Sequence, residues 1–222
     1  MQYASGFRVD LNKLGSFCRA NQILFCVDAI QSIGAEEFDV QKCNADFVVA
    51  DGHKWMLGPE GLALFYCRSG VRESLSLQQY GWHMIENPTN YNDRHWEIAN
   101  NARRFECGSP NMLGIVALNA SLSLLLEIGM PSVAANVKSN ADYLFNQLSA
   151  DPGIEMLCSS DKKHRTGIIN FRSNKVSSDE LFTHLTNNNI FCAKRGKGVR
   201  LSPHYYTDQV ALDKTINLIL NH

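Results

Sequence analysis

Two residues in this chain have the types and spacing to do covalent chemistry together. Asp28 follows the apolar run Ile23-Leu24-Phe25-Cys26-Val27, and Lys54 follows a second run, Asp46-Phe47-Val48-Val49-Ala50, within Asp51-Gly52-His53-Lys54. Short apolar runs with β-branched residues predict strands, and the first reads as a strand buried on both faces. Open α/β sheets place their ligand sites beyond the carboxyl ends of the strands. Two parallel strands ending side by side would bring Asp28 and Lys54 to one rim. An amine that can condense with an aldehyde, near a carboxylate that can face a ring nitrogen, suits pyridoxal phosphate (PLP).

Three sequence blocks carry a family resemblance. The first is Asp28-x-x-Gln31 followed by Gly52-His53-Lys54, and the second is Arg104-Phe105-Glu106-Cys107-Gly108-Ser109-Pro110-Asn111. The third is Arg200-Leu201-Ser202-Pro203-His204-Tyr205-Tyr206. In that order they make the chain resemble the class V aminotransferases, fold-type I PLP enzymes that include the cysteine desulfurases. The resemblance implies an α/β fold: part of a large PLP domain built on a mainly parallel sheet, then a small C-terminal α/β domain. It also implies roles. Lys54 would form the Schiff base and later move the Cα proton, with His53 beside it near the phosphate or ring. Asp28 would keep the pyridine nitrogen protonated, and Gln31 would bond the phenolic oxygen. Ser109 would reach the phosphate of a partner subunit, which makes a homodimer the expected state. Arg200 would grip the α-carboxylate of an amino acid substrate through a bidentate pair. Each residue also has a plainer reading: a surface lysine or glutamine, a structural histidine, an aspartate or serine capping a turn or helix, an arginine on an edge strand.

The chain departs from the family pattern at Asp51, where the desulfurase branch has a serine or threonine donor to the phosphate. An ionised aspartate cannot donate and would repel a phosphate dianion. Either Asp51 points away, or the phosphate depends on His53, Trp55 and a loop outside this sequence. Desulfurases also need a nucleophilic thiolate on a mobile loop shortly before the carboxylate-binding arginine. Here Arg195-Gly196-Lys197-Gly198-Val199 runs straight into Arg200, and Cys192 lies earlier in an apolar strand pattern that reads as core. The expected chemistry is therefore labilisation of a bond at Cα of an amino acid, with transamination, epimerisation and lyase outcomes all open. Cysteine desulfuration is the alternative within the enzymes, and an inactive remnant serving as a binding or assembly subunit is the alternative outside them.

Composition limits the remaining possibilities. The chain has 222 residues, is 45% hydrophobic and 19% charged, and carries a net charge of −1. That charge gives no electrostatic case for nucleic acid or membrane as a partner. Seven cysteines without C-x-x-C spacing read as reduced thiols of a cytoplasmic protein, and no metal-ligand pattern is visible. The family match begins partway into the large domain, before which a phosphate-cradling loop and a ring-stacking residue are expected, so the chain reads as a fragment that would retain PLP weakly. Periodicity predicts helices from Asp10 to about Ala20, from Pro110 to Gly129, from Pro131 to Ala150, over Ser178 to Asn187 and from Asp208. Strands are expected at 62–67, 154–158, 166–171, 190–193 and 198–202, with 70–103 as a long excursion walling the active site. The expected division is 1–109 for the PLP-domain portion, 110–150 for connecting helices and 151–222 for the small domain.

Overall fold

The computed structural model describes residues 1–92 and 94–222. Contacts divide the chain into two compact units, one of 11–30 and 38–124, the other of 1–10, 31–37 and 125–222.

The first unit is built on a three-stranded sheet of β1 (Cys26–Asp28), β2 (Phe47–Asp51) and β3 (Ala63–Cys67), in that order. β1 and β2 run parallel and β3 returns antiparallel to β2, so the sheet is mixed. Helix α1 (Leu11–Ala20) precedes β1 and buries Gly15 and Cys18. The expected strand burial on both faces is not observed: Ile23 and Leu24 are exposed and lie before β1, and Val27 is buried between exposed Cys26 and Asp28. β1 is an edge strand with one covered face, so its burial alternates as the pleat dictates. On β2 the same alternation buries Val48 and Ala50 and turns Val49 outward.

Buried Asp46 fastens the entry to this sheet. It accepts from the Phe25 amide at 2.9 Å and Arg68 Nε at 2.6 Å, with Arg19 at 3.6 Å. The short helix α2 (Ser69–Arg72) leads into the 70–103 excursion, which contains a 3-10 turn at Trp82–Met84 and a bridge between Ile85 and Ile98. Fully buried Met84 and Ala99 anchor it, while Tyr80, Tyr91 and Trp96 stay exposed. A second 3-10 turn, Ala102–Phe105, precedes helix α3 (Met112–Ile128).

The second unit carries a fully antiparallel sheet in the order β4 (Ile154–Met156), β5 (Ile169–Ser173), β7 (Gly198–Leu201), β6 (Ala193–Arg195). Helices α4 (Met130–Ser149), α5 (Ser178–Asn187) and α6 (Gln209–Leu220) bury one face of it. Ala141, Leu144, Phe145 and Leu148 of α4 meet Ile169, Phe171, Val199 and Leu201 of the sheet in that core. Helix starts follow local chemistry: Ser177 accepts from the Glu180 amide to cap α5, and Asp208 from the Ala211 amide to cap α6. The strand expected at 190–193 lies instead at Ala193–Arg195, because Gly196-Lys197 forms a two-residue hairpin turn that sets its register against β7. Among the described residues, no single helix is long and apolar enough to cross a membrane.

Candidate active site

Register places Asp28 and the Lys54 loop at one rim of the first sheet. Asp28 ends β1 opposite Val49 on the parallel β2, and β2 ends two residues later at Asp51. One Asp28 oxygen closes its own turn by accepting from the Ile30 amide at 3.0 Å. The capping reading of Asp28 is thus satisfied by a single oxygen, and the carboxylate retains accepting capacity for a further group.

Lys54 sits in a closed loop rather than a slack one. The Gly58 amide donates to the Gly52 carbonyl at 2.8 Å, the Leu57 amide to the Lys54 carbonyl at 3.0 Å, and the Gly52 amide to the Leu62 carbonyl at 2.9 Å. Buried Trp55 and Met56 anchor the segment just beyond the lysine. Leu118 of α3 packs between the two glycines: a Cβ at Gly52 would lie 3.1 Å from it, and one at Gly58 only 2.6 Å. The half-buried Lys54 amine makes no hydrogen bond or ion pair among the described residues, and neither does the His53 ring. Asp51 shares the face of Val49 and Asp28, opposite buried Ala50. Gln31, 6% exposed, lies in the turn after β1 and belongs to the other unit.

Ser109 stands exposed at the mouth of an open groove of about 590 Å³, formed by residues 62–64, 106–111 and the first turns of α3. The helix-capping reading of this serine does not hold. Asn111 caps α3 instead, its Oδ1 accepting from the Gly114 amide at 3.0 Å, which leaves the Ser109 hydroxyl uncommitted among the described residues.

Arg200 lies on β7 in the second unit, on the sheet face away from the helical core. A loop at residues 2–7 straps that face. Arg200 donates to the Tyr3 carbonyl at 2.8 Å, Asn170 Nδ2 to the Ala4 carbonyl at 2.9 Å, and the Thr166 hydroxyl to the Gly6 carbonyl at 2.7 Å. Gly6 has φ +67° and fits against the Ile168 backbone, where a side chain would collide. Burial, and then the charge of Arg195, lower the pKa of Arg200, while its buried Nε has no hydrogen-bond partner among the described residues. A half-buried guanidinium with an unused donor has the chemistry to pair with an anion such as a carboxylate. Cys192 is half-buried, and burial pushes its thiol above the ordinary range. Sequence reasoning missed the strap, Asn170 and Arg195. The Gly196-Lys197 pair between two alternating runs was the available signal for the hairpin that places Arg195. Among the described residues no group of three or more histidines, cysteines or carboxylates could hold a metal ion.

The uncharacterized aminotransferase YcbU of Bacillus subtilis is 28% identical over 220 residues, 99% of this chain and 57% of that protein. The fold matches the apo cysteine desulfurase of Thermococcus onnurineus with a TM-score of 0.89 at 21% identity, covering 100% of this chain and 57% of that one. It also matches a C-DES variant with glycine covalently linked to its PLP cofactor, with a TM-score of 0.87 at 20% identity over 96% of this chain and 57% of that one. The chain spans little more than half the length of these relatives. The family model for class V aminotransferases matches residues 1–215, and the chain belongs to that family.

Proposed function

We propose that this chain forms part of a PLP-dependent enzyme that labilises a bond at Cα of an amino acid, with a transamination, epimerisation or lyase outcome. One observation carries the reading: Asp28 and the Lys54 loop share one sheet rim, the carboxylate with accepting capacity to spare and the amine with no partner among the described residues. These residues fit PLP, which when bound supplies an electron sink for the Cα carbanion. Lys54 would hold the cofactor and move the Cα proton, Asp28 would bond the pyridinium nitrogen, and Gln31 the phenolic oxygen. His53 would sit beside the ring or phosphate. Arg200 holds the α-carboxylate of the substrate. Ser109 serves the phosphate of a second copy, so the working state is a homodimer. Leu113 and Val116, exposed on the first turns of α3 just beyond Ser109, are the apolar surface that a second copy would cover. The protein is assigned to the cytoplasm, with no role for nucleic acid or membrane. The proposed plan keeps the segments 1–109, 110–150 and 151–222, with α4 of the middle segment packed into the core of the last.

Cysteine desulfuration is the second reading, supported by the fold match to a cysteine desulfurase. Against it, the segment before Arg200 is a two-residue hairpin, and Cys192 is a half-buried thiol pushed toward its protonated form. The test is borohydride reduction of the natural protein, followed by peptide mapping. Loss of an absorbance band near ~420 nm and a pyridoxyl mass on Lys54 are expected. No adduct on Lys54 overturns the reading in favour of an inactive binding subunit. Cys192→Ser should leave turnover within about twofold, whereas a severe loss of sulfur release from cysteine would establish the desulfurase.

A further inference from the structure

The strapped face of the second sheet holds two arginines that, among the described residues, have no carboxylate to neutralise them. Arg200 pairs directly with Asn170 on β5 and with Ala193 on β6, and directly opposed residues project to the same face. Arg195 pairs with Gly198, two residues before Arg200 on β7, so it occupies the diagonal position on that face. Long side chains reach across a diagonal pair. The two charges interact, since Arg195 contributes to the lowered pKa of Arg200.

The surrounding charges are already committed. Lys194 pairs with Asp179, and Arg172 pairs with Glu155 on the same sheet. Among the described residues neither Arg195 nor Arg200 has a carboxylate within ion-pair distance. Arg195 donates only to the adjacent Lys194 carbonyl, a bond with no long-range structural purpose, and Arg200 only to Tyr3. Their frame is fixed from below. Asn170, 3% exposed, donates to the Arg195 carbonyl at 3.1 Å and to the Ala4 carbonyl at 2.9 Å, tying hairpin and strap to one buried amide. Holding two like charges together costs free energy that a pair of anionic groups would offset.

We propose that Arg195 is the specificity-determining partner of Arg200, and that together they select amino acids with an acidic side chain. The α-carboxylate sits on Arg200 and the side-chain carboxylate on Arg195. The assignment rests on the reading of Arg200 as the α-carboxylate anchor.

Calorimetric titration of the natural protein with L-glutamate, L-aspartate and L-alanine tests it. At least one acidic amino acid should bind about tenfold or more tightly than alanine, a gain that shrinks with added salt. Arg195→Gln should bring acidic ligands to the alanine affinity and leave alanine itself unchanged, while Arg195→Lys should retain part of the preference. Arg200→Gln should weaken all three ligands. Absence of an acidic preference in the unaltered protein overturns the proposal, as does an Arg195→Gln variant that keeps it. An Arg200→Gln variant that binds every ligand normally overturns the anchor reading instead, so the two failures are distinguishable. Arg195 is exposed at a hairpin end, and an unchanged far-UV spectrum confirms that its variants fold.

Discussion

At the scale of single residues, the two carboxylates on which most depends play opposite parts. Asp28 retains accepting capacity, whereas Asp46 is fully engaged by the Phe25 amide, Arg68 and Arg19. Burial alone would raise the pKa of Asp46, but the amide bond and the two guanidiniums outweigh it and leave the carboxyl below its ordinary value. A depressed folded pKa means the unfolded chain binds the proton more readily. The stability contributed by Asp46 is therefore complete above the unfolded value of about 3.9 and is lost as pH falls through the lower folded value. Asp46→Asn should cost about 2 kcal/mol at neutral pH, in line with hydrogen bonds to charged groups. Urea melts should also show a shallower loss of stability below pH ~4 than the unaltered protein shows. Equal slopes in that window would mean that Asp46 is not a source of the acid sensitivity.

At the scale of elements, close packing overrides local propensity at helix α1. Gly15 lies in its interior, where alanine would ordinarily stabilise a helix by about 1 kcal/mol. A Cβ at that position would collide with the Cys43 carbonyl, a backbone atom that cannot swing aside. Overpacking costs about 1–3 kcal/mol, so the steric effect wins and Gly15→Ala should lower Tm. A raised Tm would show that α1 shifts freely against the 39–45 turn. The same distinction explains what could be read before the structure was known. Helix α5 and the start of α6 after Asp208 follow from periodicity and turn chemistry within one segment, and both were legible. The rim shared by Asp28 and the Lys54 loop was legible because each run ends in its polar residue. Burial on one face of β1 and the strap at 2–7 depend on partners far along the chain, whereas the hairpin that places Arg195 opposite Gly198 is local and carried a turn signal in Gly196-Lys197. Asn170 meets Ala4 across 166 positions, and no local pattern encodes that.

At the scale of the molecule, the second unit draws its parts from distant stretches of sequence, and this sets how it can be cut. Residues 151–222 contain the whole second sheet with α5 and α6, yet the core they form is closed by Ala141, Leu144, Phe145 and Leu148 of α4. Arg165 is also held from α4, its Nε donating to Asp142 at 2.8 Å while its guanidinium lies over the Phe145 ring. Removing α4 would expose the apolar surface that three large side chains cover. At about 2 kcal/mol for each buried Leu or Phe, the loss is about 6 kcal/mol. That is comparable with the whole stability of an ordinary domain, about 5–15 kcal/mol. Residues 151–222 expressed alone should therefore bind a hydrophobic dye, keep far-UV ellipticity and show no sharp unfolding transition. Residues 125–222 should regain a cooperative transition, because α4 restores the core. The strap would still be missing, so their Tm should lie below that of the same transition in the complete chain. A cooperative, dye-silent 151–222 fragment would instead place the domain boundary after α4 and make that helix a connector.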